Sequence, residues 1–207
     1  QIHALDGTLG QAKIEAMRER IAHIHPGTQV VCIDDFVSPD NWSALAGQAE
    51  AAAGPLSALI DACDQVSAKV AMAAWALQGR VPMVSVGAAG GKRLAHRVEI
   101  DDLGATTHDP LLAQLRYRLR KHHRAPREGR MGVNCVFSRE AVAPPDPSCG
   151  LDAGGDGSLN CHGYGSSVGV TATFGLCAAA WVMDGLAAGR VRKNEAPPKA
   201  AEKNAII

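Results

Sequence analysis

The stretch VPMVSVG (81–87) is a continuous apolar run, and it follows a long helical pattern, QVSAKVAMAAWALQG (65–79). A run dominated by Val and Met suits a strand covered on both faces, which is the environment of a parallel sheet. LSALIDAC (56–63) on the other side of the helix reads as a second strand, giving strand, helix, strand. Parallel strands need such a crossover, and the unit defines an α/β fold. Upstream the rhythm continues. GQAKIEAMRERIAHIHP (10–26) carries a helical stripe of Ile14, Met17, Ile21 and Ile24, TQVVCIDDFV (28–37) reads as a strand, and PDNWSALAGQAEAAA (39–53) as a helix.

Beyond Gly91 the pattern predicts a strand in RLAHRVEI (93–100), a helix in DPLLAQLRYRLRKHH (109–123) and a strand in GVNCVFS (132–138). Residues 143–167, rich in Gly, Pro, Asp and Ser, read as a loop. A closing helix is expected over about 169–186. Its threonines, glycines and Asp184 suit a buried helix rather than a membrane span, so no membrane partner is expected. Residues 189–207 form a polar tail expected to be disordered, leaving 1–188 as one domain.

In the 207 residues, Lys plus Arg and Asp plus Glu both number 21, so affinity for a polyanion must come from a local patch. The six cysteines form no CxxC pair, which predicts reduced thiols and a cytoplasmic setting. The chain opens on Gln1 with no leader pattern and reads as a piece cut from something longer.

In open α/β sheets ligands bind outside the carboxyl ends of the strands. DACDQ (61–65) places two carboxylates at that seam. Asp64 could hold a hard cation such as Mg²⁺ on a phosphate, or cap the following helix, and the roles are compatible. Asp61 reads as the capping or structural member. Lys13, in the first turn of its helix, could meet a triphosphate as a point charge or stand as a solvated lysine. Lys69 carries the same pair of readings, phosphate contact or a surface lysine paired with a carboxylate.

VGAAGG (86–91) has the look of a phosphate cradle without the following helix that role requires, and reads as a turn of close backbone approach. LRYRLRKHHRAPREGR (115–130) gathers Arg116, Arg118, Arg120, Lys121, Arg124, Arg127 and Arg130, a density suited to nucleic-acid phosphates or to a salt-bridged face. His122 and His123 diverge by about 100° on a helix and belong to that surface rather than to a metal site. Cys161, beside His162 just ahead of the last helix, is either a nucleophile with a lowered pKa or an unreactive loop thiol.

QIHALDGTLGQAKIEAMRERI, VCIDDFVSPDN, LIDACDQVSAK, VGAAGG, DDLGATTHDPLLAQLRYRLR, GVNCVFSRE and VGVTATFGLCAA, in that order over about residues 1–182, resemble the tRNA threonylcarbamoyladenosine dehydratases. These are a branch of the ubiquitin-activating-enzyme-like, ThiF-type adenylating superfamily. The resemblance implies a Rossmann-like doubly wound sheet, here incomplete because the first βαβ unit with its glycine loop and ribose-binding acid has no counterpart. By the same resemblance Lys13 contacts ATP phosphates, Asp64 binds magnesium and nucleotide, and Gln1 lies beside the phosphates; Cys161 or another thiol would serve transfer in the sulfur-carrier alternative.

The implied activity is ATP-dependent dehydration of threonylcarbamoyladenosine beside the tRNA anticodon through an acyl-adenylate. Arg116, Arg118, Arg120, Lys121 and Arg124 would hold tRNA, and relatives suggest a homodimer with a possible sulfur-transfer partner. The piece alone is expected to be inactive without the glycine-loop segment. Two alternatives stand beside this reading: adenylation of a sulfur-carrier protein's C-terminus, and a non-catalytic remnant that binds tRNA or a partner subunit.

Overall fold

The computed structural model describes residues 5–143 and 165–189, together with the backbone of 205–206. The chain divides into two compact units, Gln1–Leu56 with Lys193–Ile207, and Ser57–Arg192.

In the first unit, α1 (Lys13–Ile24) and α2 (Trp42–Ala53) follow the expected helices closely. The stripe on α1 is only half-buried: Ala16 is its one buried residue among those described, and Ile24 is 74% exposed. The expected ten-residue strand shrinks to β1 (Gln29–Val30), which pairs in parallel with β6 (Ala205–Ile206), a short strand within the segment expected to be a disordered tail. Downstream, Asp34, Asp35 and Phe36 are exposed, so no ladder follows the extended pattern there. A polar turn leads into α2 instead, with Asn41 Oδ1 accepting from the Ser38 amide at 2.7 Å and Nδ2 donating to the Phe36 carbonyl at 2.8 Å. The remainder of the tail, 190–204 and 207, lies outside the described residues.

The second unit is built on a four-stranded sheet of β2 (Leu59–Asp61), β3 (Met83–Val86), β4 (Val98–Asp102) and β5 (Asn134–Ser138) in the order β2-β3-β5-β4. β2, β3 and β5 run parallel and β4 is antiparallel to β5. The strand expected over 93–100 begins only at Val98, because Ala95–Arg97 closes a short 3₁₀ turn before the chain extends. α3 (Val66–Gly79) connects β2 to β3, α4 (Pro110–His122) stands between β4 and β5, and α5 (Val168–Ala187) follows β5.

Alternation along the strands sorts side chains between two faces. Val84 and Val136 pack against Val170, Phe174 and Ala178 of α5. Ser85 and Cys135, one residue out of phase and fully buried, point to the opposite layer. Leu111, Leu112, Leu115 and Leu119 of α4 are buried at helical spacing. The expectation of a buried closing helix holds for one face of α5 only, since Val168, Leu176 and Met183 are 75%, 71% and 62% exposed. The 143–167 loop, with Cys161 and His162, falls outside the described residues except at its two ends.

Candidate functional site

The parallel strands β2, β3 and β5 deliver three segments to one edge of the sheet: Ala62–Asp64, Gly87–Gly91 and Arg139–Ala143. Asp61, the last residue of β2, is 1% exposed and bonded on both oxygens. Its Oδ1 accepts from the Cys63 amide at 3.0 Å, and Oδ2 accepts from Lys69 Nζ at 3.0 Å and from Ser85 Oγ at 2.6 Å. Lys69 donates further to Ser85 Oγ at 3.2 Å and to the Val86 carbonyl at 2.7 Å. The structural reading of Asp61 is therefore correct, whereas a surface position for Lys69 is not: its side chain is fully enclosed. The sequence held the signal, since Lys69 shares the buried helical face of Met72, Ala73 and Ala76.

Asp64 does not cap α3. The N-cap is Gln65, without a side-chain cap bond, and the Asp64 carboxylate is exposed with no hydrogen bond or ion pair among the described residues. Two carboxylates three positions apart thus divide their roles, one closed into the fold and one open to ligand. A single free carboxylate fits Mg²⁺, which keeps several waters and takes the rest of its shell from phosphate oxygens. Cys63, between them, is a half-buried thiol pushed up to about 11, first by burial and then by the Asp61 charge. At neutral pH it is a thiol and not a nucleophile.

The Val86–Gly91 segment is a fixed turn of close approach. The Gly87 amide donates to the Val136 carbonyl at 2.8 Å and the Ala88 amide to Asp109 Oδ2 at 2.9 Å. A side chain at Gly87 would meet the Asp109 carboxylate, and one at Gly91, whose φ is +70°, would come 2.9 Å from the Ala143 carbonyl. Lys92, 1% exposed, donates to the carbonyls of His108, Ser138 and Glu140, each at 2.9 Å. Burial lowers its pKa, against the raising influence of Asp109 and Glu140. Asp109 caps α4 through the Leu112 amide at 2.9 Å, and burial raises its carboxyl despite that bond. His108, at φ +57°, carries the carbonyl that Lys92 takes. Lys92 and Glu140 went unread in the sequence, whereas Asp109 before Pro110 shows the pattern of a helix start.

Lys13 is the exposed first residue of α1, in the first unit. Gln1 and Cys161 lie outside the described residues. The basic segment divides. Arg116 Nη1 donates to the Leu103 carbonyl at 3.1 Å and to the Thr106 carbonyl and hydroxyl at 2.9 and 2.8 Å, and Arg120 reaches the carbonyls of Pro126 and Arg127 at 3.1 and 2.8 Å. Both arginines hold their own fold. Arg118, Arg124 and Arg127 are exposed with side chains free of bonds among the described residues, and Lys121, also exposed, lies 5.5 Å from the centre of the Tyr117 ring.

A glycine turn after β3 and an exposed carboxylate after β2 lie at the carboxyl ends of parallel strands, the edge where open α/β folds bind ligands. The ThiF family model matches residues 1–190, and the chain belongs to that family. It is 37% identical over 201 residues to the tRNA threonylcarbamoyladenosine dehydratase of Escherichia coli (strain K12), covering 93% of this chain and 73% of that protein. Against the enzyme of the same name from Haemophilus influenzae it is 33% identical over 189 residues, covering 90% and 69%. The crystal structure of the E. coli enzyme, TcdA, in complex with ATP superposes with a TM-score of 0.77 at 36% identity, over 94% of this chain and 71% of that one. The complex with AMP gives 0.76. The Rossmann-like α/β sheet expected from the sequence is thus the fold of this family.

Proposed function

We propose that this protein catalyses the ATP-dependent dehydration of threonylcarbamoyladenosine in tRNA. The observation that carries the reading is the likeness to the dehydratases over nearly the whole chain, joined to a free Asp64 at the carboxyl edge of the sheet. ATP is the co-substrate, and its α-phosphorus is attacked by the threonyl carboxylate, releasing pyrophosphate. The carbonyl of the resulting acyl-adenylate is attacked from within the modification, closing a ring and releasing AMP, so one water is lost overall. Asp64 would hold Mg²⁺ through its carboxylate, and the ion would supply positive charge toward the phosphates. Lys13, the exposed first residue of α1, is a candidate for phosphate contact by its likeness to the dehydratases.

For tRNA, the exposed cations Arg118, Lys121 and Arg124 suit phosphate contact, while Arg116 and Arg120 support the surface that carries them. Homodimer formation belongs to the same proposal, and the exposed apolar side chains of α5 offer a surface for it. The deciding experiment is nucleoside mass spectrometry of threonylcarbamoyladenosine-bearing tRNA incubated with the full-length protein, ATP and Mg²⁺. Loss of one water only when ATP is present is expected, and Asp64→Asn should abolish it while leaving the fold intact. An unchanged nucleoside with folded, ATP-binding protein would overturn the assignment.

A further inference from the structure

We infer that Lys69 is a positioning residue, which holds the turn carrying Asp64 and the Val86–Gly91 turn in one arrangement; the inference rests on Asp64 as the magnesium-binding carboxylate. A lysine ammonium has three donors, and the three acceptors around Lys69 come from two different strand ends: Asp61 on β2, and Ser85 and the Val86 carbonyl on β3. Asp61 in turn fixes the Cys63 amide, the last backbone bond before Asp64. Val86 opens the glycine turn. Lys69, Asp61 and Ser85 are 0%, 1% and 0% exposed, so the linkage is not loosened by water. Replacing a whole buried ion pair by apolar side chains of similar volume is often neutral for stability, whereas losing Lys69 alone strands the Asp61 carboxylate. A methionine in its place could not join the two strand ends. The same ammonium meets the strand that ends just before Asp64 and the strand that opens the glycine turn, so a shift in one is transmitted to the other.

The test is amide hydrogen exchange on the full chain, paired with the Mg²⁺ dependence of ATP binding, for Lys69→Met, Ser85→Ala and Asp64→Asn. Ser85→Ala leaves the Asp61–Lys69–Val86 link in place and is the control, and Lys69→Met combined with Asp61→Asn, which strands no buried carboxylate, decides the matter should Lys69→Met alone not fold. Expected for Lys69→Met, single or double, is roughly tenfold faster exchange at residues 63–65 and 87–91 with α4 and α5 unchanged, and a severalfold rise in the Mg²⁺ concentration that half-saturates ATP binding. Exchange at wild-type rates in both segments of a folded Lys69→Met variant, single or double, overturns the inference. So does faster exchange without any change in Mg²⁺ dependence, provided Asp64→Asn itself shifts that dependence. If Asp64→Asn leaves it unchanged, the reading of Asp64 falls instead, and the exchange rates alone decide whether Lys69 locks the two turns.

Discussion

Lys69 and Lys92 stand near the carboxyl edge of the sheet with their side chains closed off from solvent, whereas Arg118, Lys121 and Arg124 stand on α4 and the turn after it, open to water. The buried pair reach five carbonyl or hydroxyl acceptors from β3, β5 and the loops beside them, and Lys69 also meets a carboxylate on β2. In the exposed group, Lys121 lies over an aromatic ring and the others keep their hydration. Charge removed from water must be matched bond for bond, and so it fixes geometry. Charge left in water costs little to place and stays available for a polyanion.

The largest expected difference between these regions is in stability. Lys69→Met strands a buried Asp61 carboxylate, and chemical denaturation should show a loss of about 3–5 kcal/mol. Replacing Asp61 by Asn in the same chain should recover part of it. Next comes Asp109→Ala, which removes both the cap of α4 and the acceptor for the Ala88 amide; about 2 kcal/mol is expected by the same measurement.

Joint replacement of Arg118, Lys121 and Arg124 by alanine should leave the denaturation midpoint in place. It should weaken tRNA binding and lower the slope of log affinity against log salt by about 0.7–0.9 for each phosphate no longer neutralised. An unchanged slope would remove this face from the interface. Adding Arg116→Ala should instead lower stability, because that guanidinium holds the Leu103–Thr106 turn.

The smallest effect concerns pH. The Glu140 carboxyl is held below its ordinary 4.5 chiefly by the Leu94 amide, followed by that of Arg93. Its stabilisation is present above 4.5 and is lost as pH falls through the lower folded value. Asp109 runs the other way: burial raises its carboxyl, so its contribution is full below 3.8 and is lost as pH rises through the folded value. Denaturation midpoints between pH 3 and 6, a window set as an approximate bracket around those values, should fall less steeply with acid for Glu140→Gln and more steeply for Asp109→Asn than for wild type.

By sequence alone the chain declared its α/β class, because continuous apolar runs and 3.6-residue stripes are local patterns that survive without knowledge of neighbours. The helices α1, α2, α3 and α4 and the strands β2, β3 and β5 stand close to where those patterns place them. The position of Asp64 just past a strand was legible too, since it follows from the order of elements, although its expected capping of α3 does not hold. What the tertiary structure decided is which charges face water. Asp61 and Asp64 are the same residue type in one pentapeptide, yet only the packing of Lys69 and Ser85 over β2 closes the first and leaves the second open. Arg116 and Arg118 belong to one run of basic residues, and only the turn at Leu103–Thr106 engages the first. Lys92 follows two glycines that give no hint of burial; its three carbonyl acceptors come from positions 108, 138 and 140, and proximity of that range arises only when β3, β5 and the start of α4 are assembled. Hydrophobic pattern is written along the chain, but solvation is a property of the folded surface.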